Sequence, residues 1–344
     1  MESVRARLWV RVGEKTVKCM VCHRGCIIPE GRVGVCGNYM NVNGELHHIG
    51  YGKISAIESR PIEIKPFFHY WPNSTALTFS GWGCNFYCPW CQNHHISFKL
   101  PSPEQRIFPP DKLVENAVQY GDNGLCASFN EPATLYDYLL DVFTEASRRG
   151  LYGCVVTNGY FTPRAVDELV ESGCDGWCID IKGSPYMKRP LSYINHELVF
   201  ETAKRVLDNN GHVEMVYLVV TNTNDSEETV NWILKQHADK LGCNVPLHIN
   251  RYYPQHAWRE PPTPIEKLLE IAELARREYG LKYVYIGNVS KPELESTKCP
   301  RCGRTVIYRV GYRVLKYDLA RDNRCPNCGE KIPIRGRFTI NYQF

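Results

Sequence analysis

Between residues 75 and 290, short β-prone apolar runs alternate with amphipathic helical stretches, and this alternation limits the fold more than any other feature of the chain. The runs are TALTFSG (75–81), LCASF (125–129), YGCVVT (152–157), GWCIDIK (176–182), VEMVYLVV (213–220), PLHIN (246–250) and finally KYVYIG (282–287). Between them lie PDKLVENAVQYG, ATLYDYLLDVFTEASRRG, PRAVDELVESG, NHELVFETAKRVLDNNG, SEETVNWILKQHAD and TPIEKLLEIAELARREYG. Several of these open near Pro, Ser, Thr or Asn and stop at Gly, the usual asymmetry of helix boundaries. Strand runs apolar on both faces indicate parallel strands joined by right-handed crossovers. The expected fold is α/β, a partial (β/α)6 TIM-like barrel, with an open doubly wound sheet as the alternative. Six strands before the last run are fewer than the eight of a closed barrel, so the wall is expected to stay open at one side.

The flanks differ from this core. Residues 1–70 are Gly-rich, alternate in pieces such as ELHHIGYGKISAI, and suggest a small Cys-rich, metal-stapled cap. Residues 71–290 form the barrel, and residues 291–344 a short basic module. Sixteen cysteines are many where disulfides rarely persist, and their grouping decides their reading. Cys126, Cys154, Cys174, Cys178 and Cys243 stand in apolar surroundings, as small buried hydrophobes do. The other eleven form clusters with the spacing of metal ligands. A net charge of +4 announces neither nucleic acid nor an anionic membrane as partner. The opening MESVRARLWVRVGEK has no apolar signal core, and no run approaches the ~20 apolar residues of a membrane span, so a cytoplasmic protein is expected.

The densest cluster is GCNFYCPWCQN, where Cys84, Cys88 and Cys91 fall within eight positions. An iron–sulfur cluster normally takes four thiolates. Three would leave one iron open, as catalytic metal sites keep one place for substrate. A zinc site completed by His94 or His95 is the plainer alternative. Polar residues at the ends of the following strand runs argue against it: Glu131, Thr157, Asn158, Asp180, Lys182 and, in the sixth run, His248. Such residues at successive strand ends build an active site on one face of a barrel.

C-x-x-x-C-x-x-C with Trp90 before its last cysteine resembles the signature of the radical S-adenosylmethionine (SAM) superfamily. The resemblance implies a 4Fe–4S cluster that binds SAM, cleaves it with one electron, and releases a 5′-deoxyadenosyl radical for hydrogen abstraction. It also implies a low-potential electron donor such as ferredoxin or flavodoxin. Within the superfamily the chain resembles the pyruvate formate-lyase activating-enzyme branch. Glu131 stands where that branch has a Gly-Gly-Glu-Pro carboxylate for the SAM amino group, with Phe129 and Asn130 in place of the glycines. Thr157 and Asn158 resemble its ribose- or carboxylate-contacting segment, and Asp180 and Lys182 its Asp-x-Lys element. His248 is a further position for the ribose. RPIEIKPFFHYWPNSTALTFSGWGCNFYCPWCQNHHIS, PPTPIEKLLEIA and the flanking cysteines resemble the AmmeMemoRadiSam system radical SAM proteins over almost the whole chain.

Two quartets remain. Cys299, Cys302, Cys325 and Cys328, in CPRCG and RCPNCG, are paired knuckles that suit zinc or iron in a zinc-ribbon or rubredoxin-like module. Arg301, Arg304, Arg309, Arg313, Arg321 and Arg324 surround it, read as solvated charge or as an anion-facing surface. Cys19, Cys22, Cys26 and Cys36 suit zinc or an auxiliary iron–sulfur cluster. The reading is therefore a radical SAM enzyme, with a glycyl-radical-enzyme activase, a zinc-binding nucleic-acid protein and a multi-cluster electron carrier as alternatives. An open barrel wall framed by cap and ribbon leads to the expectation of a macromolecular or peptide-borne substrate.

Overall fold

The computed structural model describes residues 3–187 and 190–340, so the two ends of the flanking regions, 1–2 and 341–344, lie outside the described residues. Its centre is an eight-stranded sheet in strict sequence order. The strands are β1 (Ala56–Pro61), β2 (Thr75–Ser80), β3 (Gly124–Ala127), β4 (Tyr152–Thr157), β5 (Cys174–Ile181), β6 (His212–Val219), β7 (Leu247–Arg251) and β8 (Val284–Gly287). Strands β2 to β8 are parallel and β1 pairs antiparallel with β2, while β1 and β8 remain unpaired edges. The barrel is open, as expected. Strand β1 departs from the sequence reading, which assigned residues 56–61 to the cap.

All six helical stretches form: α1 (Pro110–Tyr120), α2 (Tyr136–Arg148), α3 (Pro163–Glu171), α4 (Glu197–Asp208), α5 (Glu227–Gln236) and α6 (Ile265–Arg277). Thr162 caps α3 by accepting from the Ala165 N–H, with Pro163 at its first position. Ser226 caps α5 in the same way, and Gly121 ends α1 with φ of 73°. No helix among the described residues is long and apolar enough to cross a membrane.

Alternation along the strands divides the core. Leu77, Leu125, Val155 and Trp177 point outward and join the buried stripes of the helices. Their neighbours Ala76, Cys126, Cys154 and Cys178 point into the lumen, beside Val216. Three of the scattered cysteines are thus small hydrophobes in a narrow interior, fully buried. The segment that follows β1 enters this lumen from the N-terminal end of the strands. Ile62, Phe67 and Tyr70 pack on the same residues, and Tyr70 donates to Asp175 at 2.5 Å, at the start of β5. Gly176 makes room for it, because a Cβ there would stand 2.6 Å from the Tyr70 ring.

The C-terminal module closes the same end. Its three-stranded sheet, Thr297–Lys298, Thr305–Val310 and Arg313–Tyr317, shares an apolar cluster with Phe68, Tyr283 and Tyr285. Arg335 bonds to the backbone of His69 and Trp71 and pairs with Asp175 at 2.9 Å. The ribbon therefore lies at the N-terminal ends of the strands, whereas the sequence reading set it, with its arginines, beside the open side wall of the barrel. Arg309 was read as surface charge, yet it is fully buried, donating to the Phe68 carbonyl at 2.6 Å and lying over the Phe68 ring. Burying Phe68 and the strand ends gives the ribbon its seat.

The N-terminal cap docks at the opposite end. One of its two small sheets rests on α2 through Asp137, which accepts from the Tyr39 hydroxyl and the nearby Arg7 N–H and pairs with His48 at 3.0 Å. Val21 and His23 bond to the backbone of Tyr160 and Thr162, in the loop after β4.

Candidate active site

The Cys84–Cys91 loop leaves the C-terminal end of β2. Gly83 has φ of 77°, and a Cβ there would lie 2.2 Å from the Cys36 carbonyl, so only glycine brings the loop this close to the cap. Burial pushes the Cys84 thiol well up and the Cys88 thiol to about 12. Thiols raised in this way become thiolates only with a cation beside them, which is the chemistry a metal cluster supplies. His94 bonds to the Cys91 carbonyl through Nδ1 and stacks on His256, and neither His94 nor His95 joins the thiols as a single-ion site.

Glu131 follows β3 and is almost fully buried. Its carboxylate accepts from the Thr157 hydroxyl at 2.7 Å, the Asn158 N–H at 2.8 Å and the Ala133 N–H at 3.1 Å. Burial pushes it up to about 7 against these donors. Lys182 is a cation in its field, but it is tied to Asp180 at 2.8 Å. A ligand ammonium beside Glu131 would offset the remaining desolvation, so the residues fit the SAM amino group. Burial would lower Lys182, and the carboxylate of Asp180 and the Cys88 thiolate reverse that and raise it. Cys84, Cys88, Cys91, Glu131, Thr157, Asn158, Asp180 and Lys182 thus belong to one connected site.

His248 does not share it. Its Nε2 meets Glu214 at 2.8 Å, and its ring packs between Phe68 and Tyr285, facing the segment that fills the lumen. Trp90 is buried against Trp258, with its indole N–H unpartnered.

The turn before Glu131 answers the question of its missing glycines. Phe129 takes φ of 70°, the left-handed conformation that glycine adopts freely. The Asn130 side chain donates to the Gly83 carbonyl at 2.9 Å and accepts from the Gly81 N–H at 3.2 Å, clipping this turn to the cysteine loop. Lys65 rises from the lumen segment, and its ammonium lies 4.2 Å from the centre of the Phe129 ring, with the Ser128 hydroxyl at 3.5 Å. Asn85 accepts from the Asn158 amide at 2.7 Å, and its own Nδ2 is buried without a partner. Sequence reading missed Lys65, Asn85 and Asn130; the asparagine directly after Cys84 was the one available signal.

The family profile described as "Radical SAM superfamily" matches residues 80–233. The "Uncharacterized protein MJ0808" of Methanocaldococcus jannaschii is 37% identical over 334 residues, spanning 96% of this chain and 98% of its own. Among solved structures, a domain of a pyruvate-formate lyase-activating enzyme from Bacteroides vulgatus is 18% identical, with a TM-score of 0.41, covering 48% of this chain and 99% of that one. A radical SAM methyltransferase from Sphaerobacter thermophilus is 13% identical, with a TM-score of 0.48, covering 83% of this chain and 76% of that one. These matches do not reach the narrower AmmeMemoRadiSam group. With three thiols in the loop after β2 and the profile match beginning at that strand's last residue, the chain carries a radical SAM superfamily domain over residues 80–233.

Proposed function

We propose that this radical SAM enzyme holds a 4Fe–4S cluster on Cys84, Cys88 and Cys91 and uses it to cleave SAM reductively. When bound, the cluster supplies one electron to SAM, and the 5′-deoxyadenosyl radical so released abstracts hydrogen from a substrate. The observation that carries this reading is the network joining Glu131 to Thr157 and Asn158 beside the three thiols. Glu131 receives the amino group of SAM, and Thr157 and Asn158 hold its carboxylate in place. Lys182 and Asp180 set the charge beside Cys88. Asn130 fixes the distance between the cysteine loop and the Glu131 turn. A low-potential donor such as ferredoxin or flavodoxin completes the system.

The unpaired edges β1 and β8 leave the wall open, which favours a substrate larger than a free metabolite, such as a protein or peptide. The test is an anaerobic assay with reductant and SAM. Wild-type protein should form 5′-deoxyadenosine, and a variant with all three loop cysteines changed to Ala should form none. Equal product from both would end this reading.

A further inference from the structure

Cys19, Cys22, Cys26 and Cys36 reach one place from separate pieces of the cap. Cys19 ends the strand Thr16–Cys19, and its N–H donates to the Cys26 carbonyl at 3.0 Å. The Gly25 N–H bonds to the Cys22 carbonyl at 3.0 Å, turning the chain between the second and third thiol. Cys36 enters from a turn closed by the Gly37 N–H on the Gly34 carbonyl. All four line one partly open hollow, whose wall toward the barrel is Asn85, Ala133 and Thr134.

The chain contains its own standard for a single-ion site. In the C-terminal quartet the sulfurs of Cys299 and Cys328 are 3.5 Å apart and those of Cys302 and Cys325 are 3.7 Å apart. All four lie within 4.8 Å of one another. One zinc with Zn–S bonds of about 2.3 Å spaces its thiolates at about that distance. Among the described residues no other group of three or more His, Cys, Asp or Glu is drawn so close, neither the N-terminal quartet nor Cys84, Cys88 and Cys91. Thiolates bound to different irons of one cluster stand farther apart than thiolates on one ion. The N-terminal thiols, like those of the cysteine loop, are not drawn together as the ribbon's four are.

We infer that Cys19, Cys22, Cys26 and Cys36 hold a second, fully ligated polynuclear iron–sulfur cluster, seated against the loop that bears Cys84. Four thiolates leave no iron open, so this cluster binds neither SAM nor substrate. Its seat is built from both sides. The Asn38 amide donates to the carbonyls of Cys36 and Trp82, at 2.9 and 2.8 Å, tying the fourth ligand to the chain that leads into Cys84. Gly83 lies on the Cys36 carbonyl. Asn85 lines the hollow directly after Cys84, so one residue borders both thiol sets. Arg24 and Val35 also line the hollow.

The experiment compares anaerobically purified, reconstituted wild-type protein with two variants, measuring iron, acid-labile sulfide and zinc. Cys22→Ser with Cys26→Ser should lose about one cluster's worth of iron and sulfide while the zinc content stays constant. The complementary variant, Cys84→Ala with Cys88→Ala and Cys91→Ala, leaves the cap intact. It should keep the second cluster's iron and sulfide and give a reduced iron–sulfur resonance by electron paramagnetic resonance, although it cleaves no SAM. Loss of zinc with unchanged iron in the first variant would assign a single ion to the cap. Absence of iron and sulfide from the second would overturn the inference even if the cap variant had failed to fold. Neither result bears on SAM cleavage by the wild type, so the two readings fail separately.

Discussion

The Thr157 hydroxyl donates to the Glu131 carboxylate at 2.7 Å, joining the end of β4 to the turn that follows β3. With the Asn158 N–H on the other oxygen, both carboxylate oxygens are aimed by neighbouring donors before any ligand arrives. Such aiming lowers the ordering cost of binding.

Glu131→Gln should therefore weaken SAM binding while the iron content stays unchanged. A hydrogen bond to a charged group contributes about 1.5–3 kcal/mol, so the loss is roughly tenfold to a hundredfold in Kd. Burial raises Glu131 to about 7, so the acceptor is fully charged only above that pH. Wild-type affinity should rise as pH increases through about 7, and that of the variant should not. Calorimetric titration at several pH values measures both, and equal affinities would remove Glu131 from the SAM site.

Phe129 combines a left-handed backbone with a ring under the Lys65 ammonium. The conformation costs a non-glycine residue about 1–2 kcal/mol, and a cation–π contact returns about 0.5–2 kcal/mol. Phe129→Ala keeps the strain and loses the ring; Phe129→Gly loses both. The glycine variant should be more stable than the alanine variant by about 1 kcal/mol in urea denaturation. The opposite order would mean that the turn is not left-handed in solution.

Three histidines are buried in neutral form. Burial lowers His69 to about 3 and His196 and His237 to about 4, while the unfolded chain titrates each near 6.5. Below about 6.5 the unfolded state binds more protons, so stability present at neutral pH is lost as pH falls toward 4. Glu214 adds to the loss. Burial would raise it, but hydrogen bonds from His212 and His248 hold it below the usual carboxylate range, so its contribution also disappears in acid. The three rings together set a slope of at most about 4 kcal/mol per pH unit. Urea unfolding at pH 7.5, 6 and 5 reads this slope, and a flat profile would show that the rings are not buried.

What the sequence made legible was what local pattern encodes. The βα repeats carry their own period, the cysteine loop its own spacing, and Glu131, Thr157, Asn158, Asp180 and Lys182 sit at strand ends that the same period locates. What stayed hidden depends on contacts between distant segments. Residues 56–61 alternate like cap strands, and only pairing with β2 puts them in the main sheet. Lys65 reads as an ordinary lysine until its segment fills the lumen. Arg309 lies in an alternating strand with exposed neighbours, and its burial depends on Phe68, 241 positions away. Asn130 looked like a lost glycine, yet its side chain supplies the link to Gly81 and Gly83.

Arg309 also sets the last prediction. It donates to the Phe68 carbonyl, the Thr297 hydroxyl at 2.8 Å and the Glu295 carbonyl at 3.3 Å, fastening the ribbon to the lumen segment. Arg309→Met keeps the volume and leaves these buried acceptors unpaired, at a cost of about 1–3 kcal/mol for each that finds no other partner. Glu63 gives this loss a pH signature. Burial pushes Glu63 up to about 7, and the Arg309 charge opposes that rise, so the variant should push it further. A carboxyl raised in the folded state contributes stability at low pH that is lost as pH rises through its folded value. The stability gap between wild type and variant should therefore widen between pH 6 and pH 8. A gap independent of pH would mean that Arg309 acts through hydrogen bonds alone, and no gap at all would remove the ribbon from the barrel floor.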